Sequence, residues 1–331
     1  MTVMVTGGAG YIGSHMVHAL RDAGEKVIVL DNMSTGFRWA LPQDVLVYVG
    51  ETGNESLVSA IIAAHEVQAI IHFAASIVVP DSVSDPLGYY RNNTSNARTL
   101  IECAVRGGVP HFIFSSTAAV YGTPKTLPVA EDAPLAPESP YGTSKLMAET
   151  MLRDASTAHD IAHVILRYFN VAGADPAGRT GQSSRNATHL IKAGVQAALG
   201  IRPGLQVFGT DYPTPDGTCL RDYIHVSDLV AAHVAALRYL REGGESQTFN
   251  CGYGRGYSVL DVVETVKRVS GVDFPVTISP RRPGDASAVV AANARILDRL
   301  GWKPERDDLA LIVGHALAWE KKLGLRNDQS S

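Results

Sequence analysis

The feature that most constrains this chain lies at its start. In "VMVTGGAGYIGSH" an apolar run leads into glycines at 7, 8, 10 and 13 and then into a helical pattern. Gly8, Gly10 and Gly13 satisfy G-x-G-x-x-G, and Gly7, Gly10 and Gly13 satisfy G-x-x-G-x-x-G. Glycines so spaced let the backbone turn sharply from strand to helix and approach a pyrophosphate on the helix N-terminus. Alone, the string is equally a tight strand–helix turn. Asp31 favours the nucleotide reading, because it ends the second apolar run, 18 residues past Gly13. A carboxylate there accepts hydrogen bonds from an adenosine ribose and repels a 2′-phosphate, which favours NAD over NADP.

The first 170 residues repeat this alternation. "KVIVLDN", "VLVYVG", "AIIHFAA", "HFIFSST" and "HVILRYFN" are nearly continuous apolar runs, as strands buried on both faces of a parallel sheet require. Amphipathic stretches at 12–23, 55–65, 86–107 and 140–158 separate the strands. Repeated βα units predict an α/β fold, a Rossmann-like doubly wound parallel sheet, for residues 1–170.

Beyond Asn170 the texture changes. "GADPAGRTGQSSRNAT" is polar and long enough for a functional loop. A helix near 187–199, strands at "LQVFG" and "PVTISP", a helix at 258–270 and the loop "RRPGDAS" follow. "RDYIHVSDLVAAHVAALRYL" reads as a strand entering a helix capped by Ser227, with Asp228 favouring its dipole. Residues 224–252 are expected to return to the first sheet. That leaves 171–223 and 253–326 as a smaller C-terminal α/β substrate-binding domain. The tail "NDQSS" is expected to fray.

Composition excludes several classes. The formal net charge is −4 and no window forms a basic patch, so neither nucleic acid nor an anionic membrane is an expected partner. Cys103, Cys219 and Cys251 lie far apart, which argues against a disulfide framework and against a metal site. No basic leader precedes the first strand, and no apolar run approaches the ~20 residues that cross a bilayer. A cytoplasmic location is the expectation.

A second motif carries chemistry. "SPYGTSK" places Tyr141 four residues before Lys145, a spacing that chance supplies about 0.3 times in such a chain. Ser139 and Pro140 would also make an ordinary capped helix start. "FIFSSTAAVYG" changes the reading, because Ser115, Ser116 and Thr117 end an apolar strand 24 residues before Tyr141. In open α/β sheets the site lies outside the carboxyl ends of the strands. A hydroxyl there can meet Tyr141, and an ammonium at Lys145 is expected to draw the phenol below its reference of about 10. A phenolate near neutral pH is a competent base for an alcohol proton as hydride leaves its carbon.

Together these motifs resemble the extended branch of the short-chain dehydrogenase/reductase superfamily. "VTGGAGYIGSH", "LDN", "IHFAA", "SSTAAVYG", "PYGTSKLMAE", "LRYFNVAGADP", "FGTDYPTPDGTCLRDYIHV", "NCGYGRGYSV" and "RRPGD" follow one another as in the UDP-glucose 4-epimerase family. The resemblance spans residues 3 to about 285. It implies tightly bound NAD and inversion at C4 of a UDP-hexose through a 4-keto sugar. Tyr141 would be the base, Lys145 would hold the nicotinamide ribose, and Thr117 would supply a hydroxyl where many members have serine.

The implied NAD site comprises Gly7, Gly10, Tyr11, Ile12, Gly13, Asp31, Asn32, Glu51, Thr52, Phe73, Ala74, Ala75, Asn92, Tyr141, Lys145 and Phe169. The implied UDP-sugar site comprises Thr117, Asn170, His189, Leu190, Arg221, Tyr223, Arg282, Asp285 and Val289. Two arginines suit a diphosphate, whose oxygens guanidinium groups bind bidentately. A homodimer through the helices at 86–107 and 140–158 is a further implication.

The departures from the family pattern are informative. Ile77 stands where a lysine is common, Glu51-Thr52 replaces Asp-Ile, and Thr188-His189 replaces an asparagine pair. His189 reads as a backbone- or uridine-proximal substitute without a proton-transfer role. Val289 stands where some members carry a tyrosine beside the sugar's C2 substituent. A smaller side chain leaves room for an N-acetyl group, or suits another sugar such as a UDP-pentose. The nearest rival chemistry, a nucleotide-sugar 4,6-dehydratase, needs an acid pair where Ala118 and Ala119 stand. Their absence weighs equally against a decarboxylase. A non-catalytic NAD-sensing protein usually lacks Tyr141 or Lys145, and both are present.

Overall fold

The computed structural model describes residues 1–184, 188–282 and 285–328, except the side chains of 327 and 328. Along the chain run β1 (Thr2–Thr6), α1 (Tyr11–Asp22), β2 (Lys26–Asp31), β3 (Leu46–Val49), α2 (Glu55–His65) and β4 (Val67–His72). Next come α3 (Val79–Ser84), α4 (Pro86–Tyr89), α5 (Asn96–Arg106), β5 (His111–Thr117), α6 (Pro140–Ala158) and β6 (Ala162–Tyr168). The second half holds β7 (Asn170–Ala172), α7 (Leu190–Ala198), β8 (Leu205–Phe208), β9 (Leu220–His225), α8 (Val226–Arg241) and β10 (Gln247–Cys251). It ends with β11 (Gly256–Ser258), α9 (Val259–Ser270), β12 (Val276–Ser279), β13 (Ala288–Val289), α10 (Ala294–Leu300) and α11 (Leu309–Asp328).

Seven parallel strands form the main sheet, in the order β10-β6-β5-β4-β1-β2-β3. Alternate residues of β1 serve opposite faces, as the two-residue strand period dictates. Val3 and Val5 pack towards α1 and α8, whereas Met4 packs towards α2, α5 and α6. Covering both faces is what makes the strands read as unbroken apolar runs.

A smaller lobe contains the β11-β9-β13 sheet with β7 beside β9, the β8–β12 pair, and helices α7, α9 and α11 around a core of their own. The chain crosses between the lobes repeatedly. Strand β10 pairs with β6, and Ile296, Leu300 and Trp302 return from the far end of the sequence into the core on the α1–α8 face.

Local expectations fail in two places. The stretch at 86–107 is not one helix, because a wider π-type turn at Tyr90–Ser95 separates α4 from α5. There Asn93 is drawn into tertiary bonds: its Oδ1 accepts from Ser76 N at 2.8 Å, and its Nδ2 donates to Ser76 O and Ser144 Oγ. The cap of α8 is His225, whose Nδ1 accepts from Ser227 N at 3.0 Å. The chain passes directly from β9 into α8, so the last strand residue takes the cap and Ser227 falls inside the first turn. Helix α7 begins at Leu190, and residue 187, where the pattern had placed its start, lies outside the described residues. So do residues 329–331 of the tail expected to fray.

Candidate active site

The glycine turn is built around contacts that only glycine allows. Gly7 adopts φ +69°, and a Cβ on it would stand 2.6 Å from Ala74 N; one on Gly13 would stand 2.1 Å from Gly7 O. Gly10 caps α1 without a side-chain bond, and no acidic residue stands in the helix's first turn. Among the described residues no side chain is seen to accept from the amides of Tyr11, Ile12 and Gly13, as an anion site at a helix N-terminus requires. The buried Asp31 braces this turn. Its Oδ2 accepts from Ala9 N at 2.9 Å and its Oδ1 from Met33 N at 2.8 Å. A carboxylate has about four acceptor positions, so capacity for a ribose hydroxyl remains.

Neighbouring residues close around the same strand ends. Phe73 N donates to Thr6 O, Asn32 Nδ2 reaches Glu51 Oε1 at 3.1 Å, Thr52 is buried, and Asn92 Nδ2 donates to Ser76 Oγ at 2.9 Å. The residues present fit a dinucleotide. Ile77 is half exposed and Ala75 partly buried on the strand-to-α3 connection.

The chemical residues converge at the carboxyl end of β5. Ser139 Oγ accepts from Gly142 N at 3.2 Å, and Pro140 opens α6, so the first helical turn presents Tyr141 towards Thr117. Burial pushes the Tyr141 phenol up to about 12, and the Thr117 hydroxyl works against that shift. Lys145 donates to Ser115 O at 2.8 Å and lies 4.8 Å over the Phe114 ring. Burial lowers it to about 7, with the Glu149 carboxylate opposing the change. The expectation that Lys145 draws the phenol down is therefore not met by the protein alone. In this dry pocket desolvation dominates both groups, and each is driven towards its neutral form.

Sequence reasoning missed the frame behind this pair. Glu149, one turn beyond Lys145, is fully buried; it accepts from Arg167 Nη2 at 2.6 Å and from Ser116 Oγ. Arg167 also donates to Tyr121 Oη, which in turn donates to Asn250. Only the Lys145–Glu149 helical spacing hinted at this network.

On the other lobe, a cleft gathers Asn170, His189, Leu190 and Tyr223, together with Trp319 and Glu320, which the sequence did not suggest. His189 Nδ1 lies 2.7 Å from Gln182 Nε2, and Lys192 Nζ donates to Gln182 O and pairs with Glu320. The arginines stand apart from this cleft. Arg221 faces Asp285 at 3.4 Å, whereas Arg282 lies 3.8 Å over the Phe208 ring. Val289 pairs in register with Arg221 and packs, like Phe169, on the cluster of Ala118, Val120 and Tyr121 just past Thr117.

A Gly-rich strand–helix turn, a strand-end carboxylate and a tyrosine–lysine helix at one sheet edge define a dinucleotide-dependent enzyme of the doubly wound α/β class. The sequence model of the NAD dependent epimerase/dehydratase family matches residues 3–252, and the chain belongs to that family. It is 58% identical over 321 residues to UDP-glucose 4-epimerase of Azospirillum brasilense, covering 97% of this chain and 92% of that protein. The UDP-glucose 4-epimerase of Brucella ovis, solved in complex with NAD, superimposes with a TM-score of 0.93 at 41% identity, covering 96% of this chain and 97% of that one. The UDP-Glc/GlcNAc 4-epimerase of Campylobacter jejuni gives a TM-score of 0.85 at 48% identity, covering 97% and 99%.

Proposed function

We propose that the chain interconverts UDP-galactose and UDP-glucose by inverting C4, with NAD retained throughout. The observation that carries this reading is the buried Tyr141 beside Thr117, with Lys145 one turn behind it, at the sheet edge that holds the glycine turn. NAD held there would supply a reversible hydride acceptor for C4, so that no net redox would result. With the positive charge of a bound oxidised nicotinamide favouring the phenolate, Tyr141 Oη would take the proton of the C4 hydroxyl as hydride leaves C4, and would give it back as the keto sugar is reduced on its other face. Gly7, Gly10, Gly13 and Asp31 hold the dinucleotide, while Asn170, Leu190, Tyr223, Arg221 and Arg282 receive the UDP-sugar. Ala118 and Ala119 offer no acid for eliminating water, which favours epimerisation over dehydration. Helices α5 and α6 are assigned to a homodimer contact.

The test uses purified protein and UDP-galactose without added nucleotide. UDP-glucose detected by NMR, with NAD released on denaturation, supports the reading. A stoichiometric requirement for NAD with accumulation of NADH overturns it. The likeness to a UDP-Glc/GlcNAc 4-epimerase adds a second substrate class, because valine at 289 is smaller than the tyrosine that some members of the family carry there. Turnover of UDP-GalNAc by enzyme active on UDP-galactose is expected, and its absence would remove that class.

A further inference from the structure

Two of the chain's three tryptophans stack on each other at the edge of the nucleotide site. Trp39 belongs to the connection that follows Asp31, and Trp319 to α11, nearly three hundred residues later in the chain. Their ring centroids lie 6.2 Å apart with planes 28° from parallel. Phe37 stacks on Trp39 at 5.0 Å, and the Arg326 guanidinium lies 4.2 Å over the Trp39 ring. The series Phe37–Trp39–Trp319 thus ties the loop after β2 to the C-terminal helix.

That loop lies across the glycine turn. Phe37 N donates to Ala9 O at 3.0 Å, and a Cβ on Gly36 would meet Ala9 Cβ at 2.7 Å. Thr35 and Phe37 join Ala9, Gly10 and Tyr11 around a small open hollow that Gly181 and Ser183 also line. Helix α11 fastens that side of the hollow too. Trp319 Nε1 donates to Ser183 Oγ at 3.2 Å, its ring fills the space a Cβ on Gly181 would need, and Lys322 Nζ donates to Gly178 O at 2.6 Å. Two segments flanking the start of α1 are therefore held by one helix. The Asp31 carboxylate, accepting from Met33 N, and the backbone bond from Phe37 N to Ala9 O hold the first part of the loop, and the aromatic stack fixes what lies beyond.

We propose that Trp39 and Trp319 form a clasp that keeps the 32–40 loop closed over the glycine turn and so slows release of NAD. The inference rests on the reading of the protein as an epimerase that retains its cofactor. Release requires the loop to lift from Ala9, and lifting it separates the stacked rings and the Arg326 contact. Offset-stacked pairs and cation–π contacts each add to the opening barrier beyond the area they bury. Neither tryptophan is placed among the reacting groups, so the clasp sets residence time and leaves the chemistry at C4 unaltered.

The experiment measures exchange directly. Holoenzyme with its co-purified NAD is mixed with excess deuterium-labelled NAD, and protein-bound nucleotide is isolated by rapid gel filtration and weighed by mass spectrometry over time. Trp39→Ala is expected to exchange about tenfold faster than wild type. Trp39→Phe, which keeps a stacking ring, is expected to stay within about twofold of wild type, as is kcat of Trp39→Ala on UDP-galactose at saturating NAD. A Trp39→Ala rate equal to wild type overturns the clasp, and so does equal acceleration by Trp39→Phe. If wild-type protein holds no NAD and takes none up, the functional reading fails and the clasp with it. If epimerisation and bound NAD persist while exchange is indifferent to Trp39, the clasp alone fails.

Discussion

Lys145 and Tyr141 occupy a pocket that opposes charge on both, and their behaviour follows from that. Tyr141→Phe removes the only atom at its ring tip able to take a proton. Turnover of UDP-galactose is expected to fall about 10³-fold while NAD remains bound, measured by steady-state assay and by nucleotide released on denaturation. Lys145 gives a prediction in pH. Burial lowers it from 10.5 to about 7 in the folded chain. Below about pH 7 the ammonium exists in both folded and unfolded states, and its desolvation penalty is carried in full. Between about 7 and 10.5 the unfolded chain still binds the proton that the folded chain has lost, so stability rises with pH across that window. In nucleotide-free protein, Lys145→Met should therefore raise the melting temperature most at and below about pH 7, with the gain shrinking towards pH 10. A gain that does not change with pH would show that the ammonium is not desolvated. None of this was legible in "SPYGTSK": the letters announce a tyrosine–lysine pair, but not the Phe114 face and Ser115 carbonyl that hold the lysine.

Helix α6 shows where local sequence suffices. Ser139 and Pro140 start it as any capped helix starts, and the cap bond to Gly142 N is present. Ser139→Ala should cost ~1 kcal/mol in urea unfolding. Because Tyr141 sits in the turn that this cap fixes, kcat should fall further than KM rises; an unchanged kcat would separate the cap from the aim of the tyrosine. The strands were legible for the same local reason, since burial on both faces leaves an apolar run without gaps. The start of α8 was not. Ser227 is a good cap by type, yet a buried histidine at the end of β9 takes the position. The turn at Tyr90–Ser95 escaped as well, because its cause is Asn93 reaching Ser76 and Ser144 across the fold. Periodicity records which face an element buries; it carries no record of a polar side chain's distant partner.

At the scale of the whole molecule, the family match and the folding unit differ in extent. The match ends at residue 252, just past β10, which completes the main sheet. The sheet's core does not end there. Trp302, only 3% exposed, packs against it with Ile296 and Leu300, and its Nε1 donates to Asp228 O at 2.9 Å. The buried Asp228 carboxylate accepts from Tyr253 Oη and from the amides of Glu305 and Arg306, and pairs with the Arg306 guanidinium at 3.2 Å. A fragment of residues 1–252 would lose every one of these partners while Asp228 stayed in its helix. Each of the three lost core side chains costs about 2–5 kcal/mol, and the hydrogen bonds to Asp228 are lost as well. Marginal stabilities of about 5–15 kcal/mol do not survive that. The fragment is therefore expected to lack a cooperative melting transition and to bind NAD poorly, even though it contains the glycine turn, Asp31, Tyr141 and Lys145. The full chain should melt in a single transition, because its C-terminal segment belongs to both lobes. A 1–252 fragment that melts cooperatively and retains NAD would show instead that the nucleotide-binding half is an autonomous unit.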